Sequence, residues 1–250
     1  MDRSQLIALL DAVRAGDVAP AEAAREIGAL PYAEAAAAVV VDHHRELRTG
    51  VPELVYGASK TPEQIVSALR TVAKAGGALA TRVDAERAAR VKALLPEAVV
   101  HELARVVVLG TPPVRPNAAR IAVVCAGTSD LPVAEEAALV AEFLGAPVTR
   151  ISDVGVAGLH RLLARLDDIR AAEVVIAVAG MEAALPSVLG GLVDRPMIAV
   201  PTSVGYGVSI DGLVALGALL AGCAPGVTVV NIDNGVGAAV AAVKIARLVA

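Results

Sequence analysis

The sequence predicts an α/β protein. A carboxy-terminal three-layer αβα domain with a parallel sheet of the flavodoxin or Rossmann kind follows a small α+β domain. Three observations predict this. From residue 120 onward, short β-branched apolar runs alternate with helical stretches. The segment Gly110–Asn117 carries three prolines, which sustain neither a helix nor a central strand. Charge also thins across that segment, from 28 charged side chains in residues 1–118 to 20 in the slightly longer 119–250. The domains are therefore drawn at 1–115 and 116–250.

In the first domain the pattern predicts helices at Arg3–Ala15 and Pro20–Leu30. Strands follow at Ala37–Asp42, Leu54–Tyr56, Ala78–Arg82 and Val106–Leu109, with helices at 62–75 and 84–94. In the second domain the apolar runs 120–125, 147–151, 174–178, 197–200 and 227–232 read as buried parallel strands. The helices between and after them are 131–144, 156–168, 182–193, 210–221 and 235–249. The helices at 210–221 and 235–249 have almost no polar face before Lys244. A helix on one side of a sheet normally shows water a charged stripe, so both are expected to touch other subunits of a homo-oligomer.

Composition excludes several function classes. The net charge is −4 with no basic run, and one Phe, three Tyr and no Trp offer no stacking platform, so nucleic acid is not the expected partner. Residues 212–232 are free of charge for 21 positions, but Gly217, Gly222, Pro225 and Gly226 interrupt them. A helix, a break and a short strand describe this stretch better than a membrane span. The chain starts Asp2-Arg3 with no apolar signal core, and two cysteines make no disulfide framework, so a cytoplasmic protein is expected.

Between Val174 and Val243 only five of seventy residues are charged, namely Glu182, Asp194, Arg195, Asp211 and Asp233. Ionisable groups kept in so apolar a stretch are candidates for chemistry. Ligands of open parallel sheets bind at the carboxyl ends of the strands. Five polar or glycine-rich loops fall there: Gly127-Thr128-Ser129-Asp130, Ser152–Gly155 with Asp153, Gly180-Met181-Glu182, Pro201–Gly207 with Ser203, and Asn231–Gly235 with Asp233 and Asn234. Amides of the first loop, with the Ser129 hydroxyl, suit a phosphate. The competing reading is plain helix capping by Ser129 and Asp130, with Pro132 in the first turn.

Other motifs fail. There is no phosphate loop of the GxxxxGK type, no Gly-x-Ser-x-Gly and no His-Glu-x-x-His, and Gly235-Val-Gly237 is only a fragment of a dinucleotide fingerprint. His43 and His44 are adjacent and would face opposite sides of a strand, poor geometry for one metal. Cys125 ends an apolar strand and reads as a core residue. Cys223 sits between Gly222 and Ala224-Pro225-Gly226, where a thiol can be reached, although a buried structural cysteine is the competing reading.

Taken together, AGTSDLPVAEEA, DVGVAGLHRLL, AGMEAALPSVLGGL, MIAVPTSVGYG, CAPGVTVVNIDNG and the amino-terminal DHHRELRTGVPELVYGASKTPEQ resemble the LarB family. The carboxy-terminal half also resembles, more distantly, the PurE-type aminoimidazole ribonucleotide carboxylases. The resemblance implies a PurE-like domain that carboxylates the pyridinium ring of nicotinic acid adenine dinucleotide with CO2. The phosphoanhydride is hydrolysed as well, giving pyridinium-3,5-biscarboxylic acid mononucleotide and AMP on the way to the nickel-pincer cofactor of lactate racemase. It implies Cys223 as the nucleophile that adds to the ring. Glu182, expected to be buried and so strengthened as a base, would remove the ring proton.

Gly127, Thr128, Ser129, Asp130, Asp153, Gly180, Met181, Ser203, Asn231, Asp233 and Asn234 are the candidates for holding ribose, phosphates and carboxylates. Arg45, Arg48 and Lys60 either grip phosphates or make ordinary surface pairs. No tightly bound cofactor is expected, though Mg²⁺ held by the phosphates and Asp130 or Asp233 would ease the hydrolysis. The histidine that handles the proton in the PurE motif is matched here by Ala184. The rival readings are an aminoimidazole ribonucleotide carboxylase or mutase and a non-catalytic nucleotide-binding oligomer.

Overall fold

A computed structural model describes residues 3–28, 32–36, 39–42, 44–111 and 118–249. His43 and most of the proline-rich connector, 112–117, lie outside them. The chain divides into two compact units, Met1–Glu102 with Val106–Thr111, and Leu103–Arg105 with Pro112–Ala250.

In the first unit, α1 (Arg3–Ala15) and α2 (Pro20–Gly28) precede an antiparallel ribbon of β1 (Tyr32–Ala36) and β2 (Val39–Asp42). Next come α3 (Arg45–Thr49), β3 (Val55–Tyr56), α4 (Pro62–Val72), β4 (Ala78–Thr81), α5 (Ala85–Leu94), β5 (Val99–His101) and β6 (Val106–Leu109). The last four strands form a sheet in the order β3-β4-β6-β5, with only the β3–β4 pair parallel. Thr61 and Gln64 make a reciprocal capping box at the start of α4, and the Asp84 carboxylate caps α5 by accepting from the Arg87 N–H. Those caps fix where the helices enter. Ile65, Leu69, Val91 and Leu95 then bury their apolar stripes against Ala78, Ala80 and Val107. The strand predicted at Ala37–Asp42 is resolved as β2, with residues 37 and 38 outside the described set. β1, α3 and β5 are additions to the predicted elements.

The second unit holds β7 (Ile121–Cys125), α6 (Leu131–Phe143), β8 (Val148–Ile151), α7 (Leu159–Leu163), α8 (Leu166–Arg170), β9 (Val174–Ala179), α9 (Ala184–Gly190), β10 (Met197–Pro201), α10 (Leu213–Leu220), β11 (Val227–Val229) and α11 (Gly235–Val249). All five strands are parallel, in the order β11-β10-β9-β7-β8. Counted within this unit the order is 2-1-3-4-5, so the direction in which strands are added to the sheet reverses between its first and third strands, β7 and β9. A crevice opens at such a switch point. Every residue of β7, β9 and β10 is buried, as a sheet covered on both faces requires. Ala122, Val124, Ala177, Ala179 and Ala199 meet Leu162, Ile169, Leu185, Leu189 and Leu219 from α7–α10 on one face. The alternate side chains point to the other face, where α6 and α11 pack.

Three predicted elements change form. The helix expected at 156–168 is a 3-10 turn, Val156–Gly158, then α7 and α8, with one buried residue in each piece, Gly158, Leu162 and Ile169. The helix expected from 210 starts at Leu213, after a 3-10 segment in which Ile210 and Asp211 take left-handed backbone. The last strand stops at Val229 instead of 232, since the Asp233 N–H turns in to donate to the Pro201 carbonyl at 2.8 Å. The two charge-free helices also differ. α11 lays Ala238, Ala239, Ala242 and Ala246 against α6 and the sheet, so its apolar face is covered within the chain. α10 buries Ala215 and Leu219 but leaves Leu213, Val214 and Leu220 exposed, Leu220 by 68%.

Candidate active site at the carboxyl rim of the parallel sheet

At the switch point sits a buried carboxylate. Asp130, 3% exposed, follows β7 at the start of α6. The Thr202 hydroxyl donates to its Oδ1 at 2.7 Å, the Gly127 N–H donates to its Oδ2 at 2.9 Å, and the Gly180 N–H bonds it as well. One side chain thus ties together the loops after β7, β9 and β10. Burial pushes the Asp130 carboxyl up from its ordinary range, while the bonds from Thr202, Gly127 and Gly180 pull it back. A raised folded-state value means that this group's contribution to stability is lost as pH rises through that range. The Asp130 side chain accepts from the Gly127 N–H in the capping box of the 3-10 turn Thr128–Asp130 and makes no cap bond to α6, so it positions the loops.

A test follows from these bonds. Asp130→Ala strands the three donors in a dry site and is expected to cost about 2–4 kcal/mol in denaturant unfolding. Asp130→Asn keeps an acceptor without the buried charge and should stay within about 1 kcal/mol.

The loops are packed too closely for side-chain freedom. The Met181 N–H donates to the Val204 carbonyl at 2.8 Å. A Cβ at Gly180 would lie 2.4 Å from that same oxygen and 2.6 Å from Thr202 Oγ1, so only glycine fits. Backbone strain gathers here. Asp153, Met181, Ala183, Ile210, Asp211 and Asp233 all have positive φ, and all lie in loops that follow β8–β11. Each such residue costs about 1–3 kcal/mol and persists where its surroundings over-determine it, typically at functional sites.

The predicted site residues divide three ways. Thr128, Ser129, Asp153, Met181, Glu182, Ser203 and Asn231 are exposed at the rim, with Gly127, Asp233 and Asn234 half-buried and Gly180 buried among them. The Asp233 carboxylate accepts from the Ser203 N–H at 2.8 Å, and Asp153 pairs with Arg161 at 2.5 Å. Asn234 caps α11 by accepting from the Gly237 N–H at 2.8 Å. The expectation that Glu182 is buried is overturned. Left-handed Met181 and Ala183 tuck the Ala183 side chain inward and turn Glu182 out to solvent.

Cys125 is buried, and burial pushes its thiol up, which makes it the inert core residue expected. Cys223 is exposed, so its competing reading as a buried structural cysteine fails. It stands away from the rim. Gly222 packs near Ser187 and Gly190 near Ala224, so residues 222–224 run along the carboxy-terminal half of α9, just ahead of β11.

In the first unit, Arg48 donates to both Asp42 oxygens, at 2.7 and 3.3 Å, and Arg45 lies 3.5 Å from Asp42. The Arg48 bond leads in holding the Asp42 carboxyl below its ordinary value. Two guanidiniums share the Asp42 carboxylate, and the Glu53 carboxylate accepts from the Asp42 N–H beside them. Lys60 lines an open cleft of about 820 Å³ with Arg87 and Arg90. Among the described residues, no three His, Cys, Asp or Glu side chains gather as a metal site, and no helix is long and apolar enough to cross a membrane. Of the two aspartates expected to offer an oxygen to Mg²⁺, Asp130 has both oxygens engaged inside the loops, while Asp233 is half-buried at the rim.

Sequence reasoning missed Thr202, which is fully buried and bonds Asp130 across 72 positions of chain. A lone threonine after an apolar strand carries no local signal for that role.

A doubly wound parallel sheet with its polar loops on one rim, beside a smaller α+β unit, defines a carboxylase-type α/β enzyme once it is compared with known proteins. Residues 120–249 match the AIR carboxylase family model, and residues 33–111 match the LarB/PurE-like N-terminal domain. The uncharacterized protein MJ0165 of Methanocaldococcus jannaschii is 38% identical over 261 aligned positions, covering 96% of each chain. The N5-carboxyaminoimidazole ribonucleotide mutase of the same organism is 35% identical over 133 residues, covering 51% of this chain and 79% of that one. The chain belongs to the LarB family, with a PurE-like carboxy-terminal half.

Proposed function

We propose that the enzyme carboxylates the pyridinium ring of nicotinic acid adenine dinucleotide and hydrolyses its phosphoanhydride. The products are pyridinium-3,5-biscarboxylic acid mononucleotide and AMP, in cytoplasmic synthesis of the nickel-pincer cofactor. The observation that carries this reading is the exposure of one thiol, Cys223, and one rim carboxylate, Glu182, in a stretch otherwise nearly free of charge. A pyridinium ring is electron-poor and does not attack CO2. Addition of the Cys223 thiolate at ring carbon 4 makes an enamine-like dihydropyridine, and its carbon 5 then bonds to CO2. Glu182 takes the proton from carbon 5, the carbon–sulfur bond breaks, and the thiolate leaves with that electron pair as the ring becomes aromatic again.

The exposed polar groups Thr128, Ser129, Ser203 and Asn231 are assigned to ribose, phosphates and carboxylates, while Asp130 and Asn234 hold the loops that present them. The rim loops carry no Lys or Arg, so positive charge for the phosphates is assigned to any Mg²⁺ that enters with the phosphates themselves. Because Cys223 stands apart from its own rim, it is assigned to the site of a second copy of the chain, docked through the bare face of α10 in a homo-oligomer. Ala184, where the PurE-type motif carries histidine, disfavours the ribonucleotide mutase reading.

The purified protein, given the dinucleotide and bicarbonate, should release AMP together with a pyridine dicarboxylate detectable by mass spectrometry. AMP without added carboxyl would reduce it to a pyrophosphatase. Turnover of aminoimidazole ribonucleotide with bicarbonate, or of its N5-carboxy form alone, would instead support the ribonucleotide carboxylase or mutase reading.

A further inference from the structure

Each loop at the carboxyl ends of β7–β11 carries one carboxylate, namely Asp130, Asp153, Glu182, Asp211 and Asp233, and none carries a cation. Asp130 is buried, and Asp153 is matched by Arg161. Glu182 and Asp211 therefore leave the rim with net negative charge. Beside them stands Tyr206, 81% exposed in a chain with only four aromatic side chains.

Its place is fixed by its neighbours. Val204 accepts from the Met181 N–H, Ser203 donates to Asp233, and Ser209 and Met181 crowd Gly205. The return leg is locked through left-handed Ile210 and Asp211 into Gly212, whose φ is 89°. The Tyr206 carbonyl also accepts from the Ser209 N–H. An aromatic face held out into a field of carboxylates gains little from a neutral ring beyond contact area. A positively charged ring gains both the attraction of the π-face and that of the acids.

We propose that Tyr206 is the specificity-determining residue of the rim, the platform on which a positively charged heteroaromatic ring lies. The identity of the ring as nicotinate rests on the proposed function, but selection for positive charge is a property of the loops alone. The contact has a kinetic signature. Thiolate addition turns the ring neutral, so the platform favours bound substrate over the adduct. Its removal weakens binding without slowing the later step.

The probes are nicotinic acid mononucleotide, with its cationic ring, and the reduced dihydro form, with a neutral one. Their dissociation constants are to be measured by calorimetry on wild type, Tyr206→Phe and Tyr206→Leu. Wild type and Tyr206→Phe should prefer the cationic form by about 3- to 30-fold, and Tyr206→Leu should lose most of that preference. In turnover, Tyr206→Leu should raise KM by a similar factor with kcat unchanged or higher.

Equal binding of the two forms by wild type overturns the proposal, as does failure of both to bind, or a preference that survives in Tyr206→Leu. A fall in kcat with KM unchanged would likewise assign Tyr206 a merely structural role. Charge preference that depends on Tyr206, in a protein that carboxylates nothing, would sustain this inference and remove the proposed reaction instead.

Discussion

Cys223→Ser is expected to lower carboxylation by about 10³-fold or more, the scale seen when a covalent nucleophile is removed. A serine hydroxyl is scarcely ionised near neutral pH, and an alkoxide is a far poorer leaving group than a thiolate. Both ring activation and the final expulsion therefore suffer. The fold should not notice. Cys223 is exposed on the flank of α9, and surface substitutions of this kind stay within about 0.5 kcal/mol. Initial rates of dicarboxylate formation, read beside a thermal melt, check both halves.

Cys125→Ser gives the opposite pattern. That thiol is 1% exposed, with only the Gly127 carbonyl as acceptor at 3.6 Å, so stability should fall while the chemistry persists. Alkylation of the native protein should label Cys223 alone. Product from Cys223→Ser at the wild-type rate would end the covalent reading.

Glu182→Gln should reduce turnover by about 10²- to 10⁴-fold, the range for loss of a positioned base. Here the defect comes after the carbon–carbon bond, so the mutant should accumulate a sulfur-bound, already carboxylated dihydropyridine that rapid quench and mass spectrometry can capture. Cys223→Ser should accumulate nothing. The two variants also test where the thiol acts. Equal mixing of the inactive proteins, followed by subunit exchange, should restore about a quarter of wild-type activity if each site joins Glu182 of one chain to Cys223 of another. No restoration after verified exchange would place both groups in one chain and refute the shared site.

The sheet was legible because its strands are short β-branched runs bounded by glycine and proline, which is how a doubly covered parallel strand must be written. The ends were less so. β11 stops at Val229 because the Asp233 N–H finds the Pro201 carbonyl, a partner 32 positions away that no local pattern reveals. β1, Tyr-Ala-Glu-Ala-Ala, has no β-branched residue, and alanine favours helix, so only its pairing with β2 makes it a strand.

The candidate site was half legible for the same reason. Which loops share the rim follows from alternation, and glycines mark the turns. Whether Asp130 or Glu182 faces water depends on Thr202 and on the left-handed Met181 and Ala183, and therefore on tertiary context. Tyr206 lies in the MIAVPTSVGYG stretch that carries the family resemblance, but its meaning emerges only beside acids drawn from separate loops.

The near-contact at Gly180 links chemistry to recognition at a distance. With the Val204 carbonyl seated over that glycine, the two turns cannot slide past one another and must travel as one body. In the proposed reaction, a phosphate held at Ser203 would therefore drag Glu182 along. Substrates altered only at the end remote from the ring should differ in how quickly the ring gives up its proton, even where the ring itself is untouched.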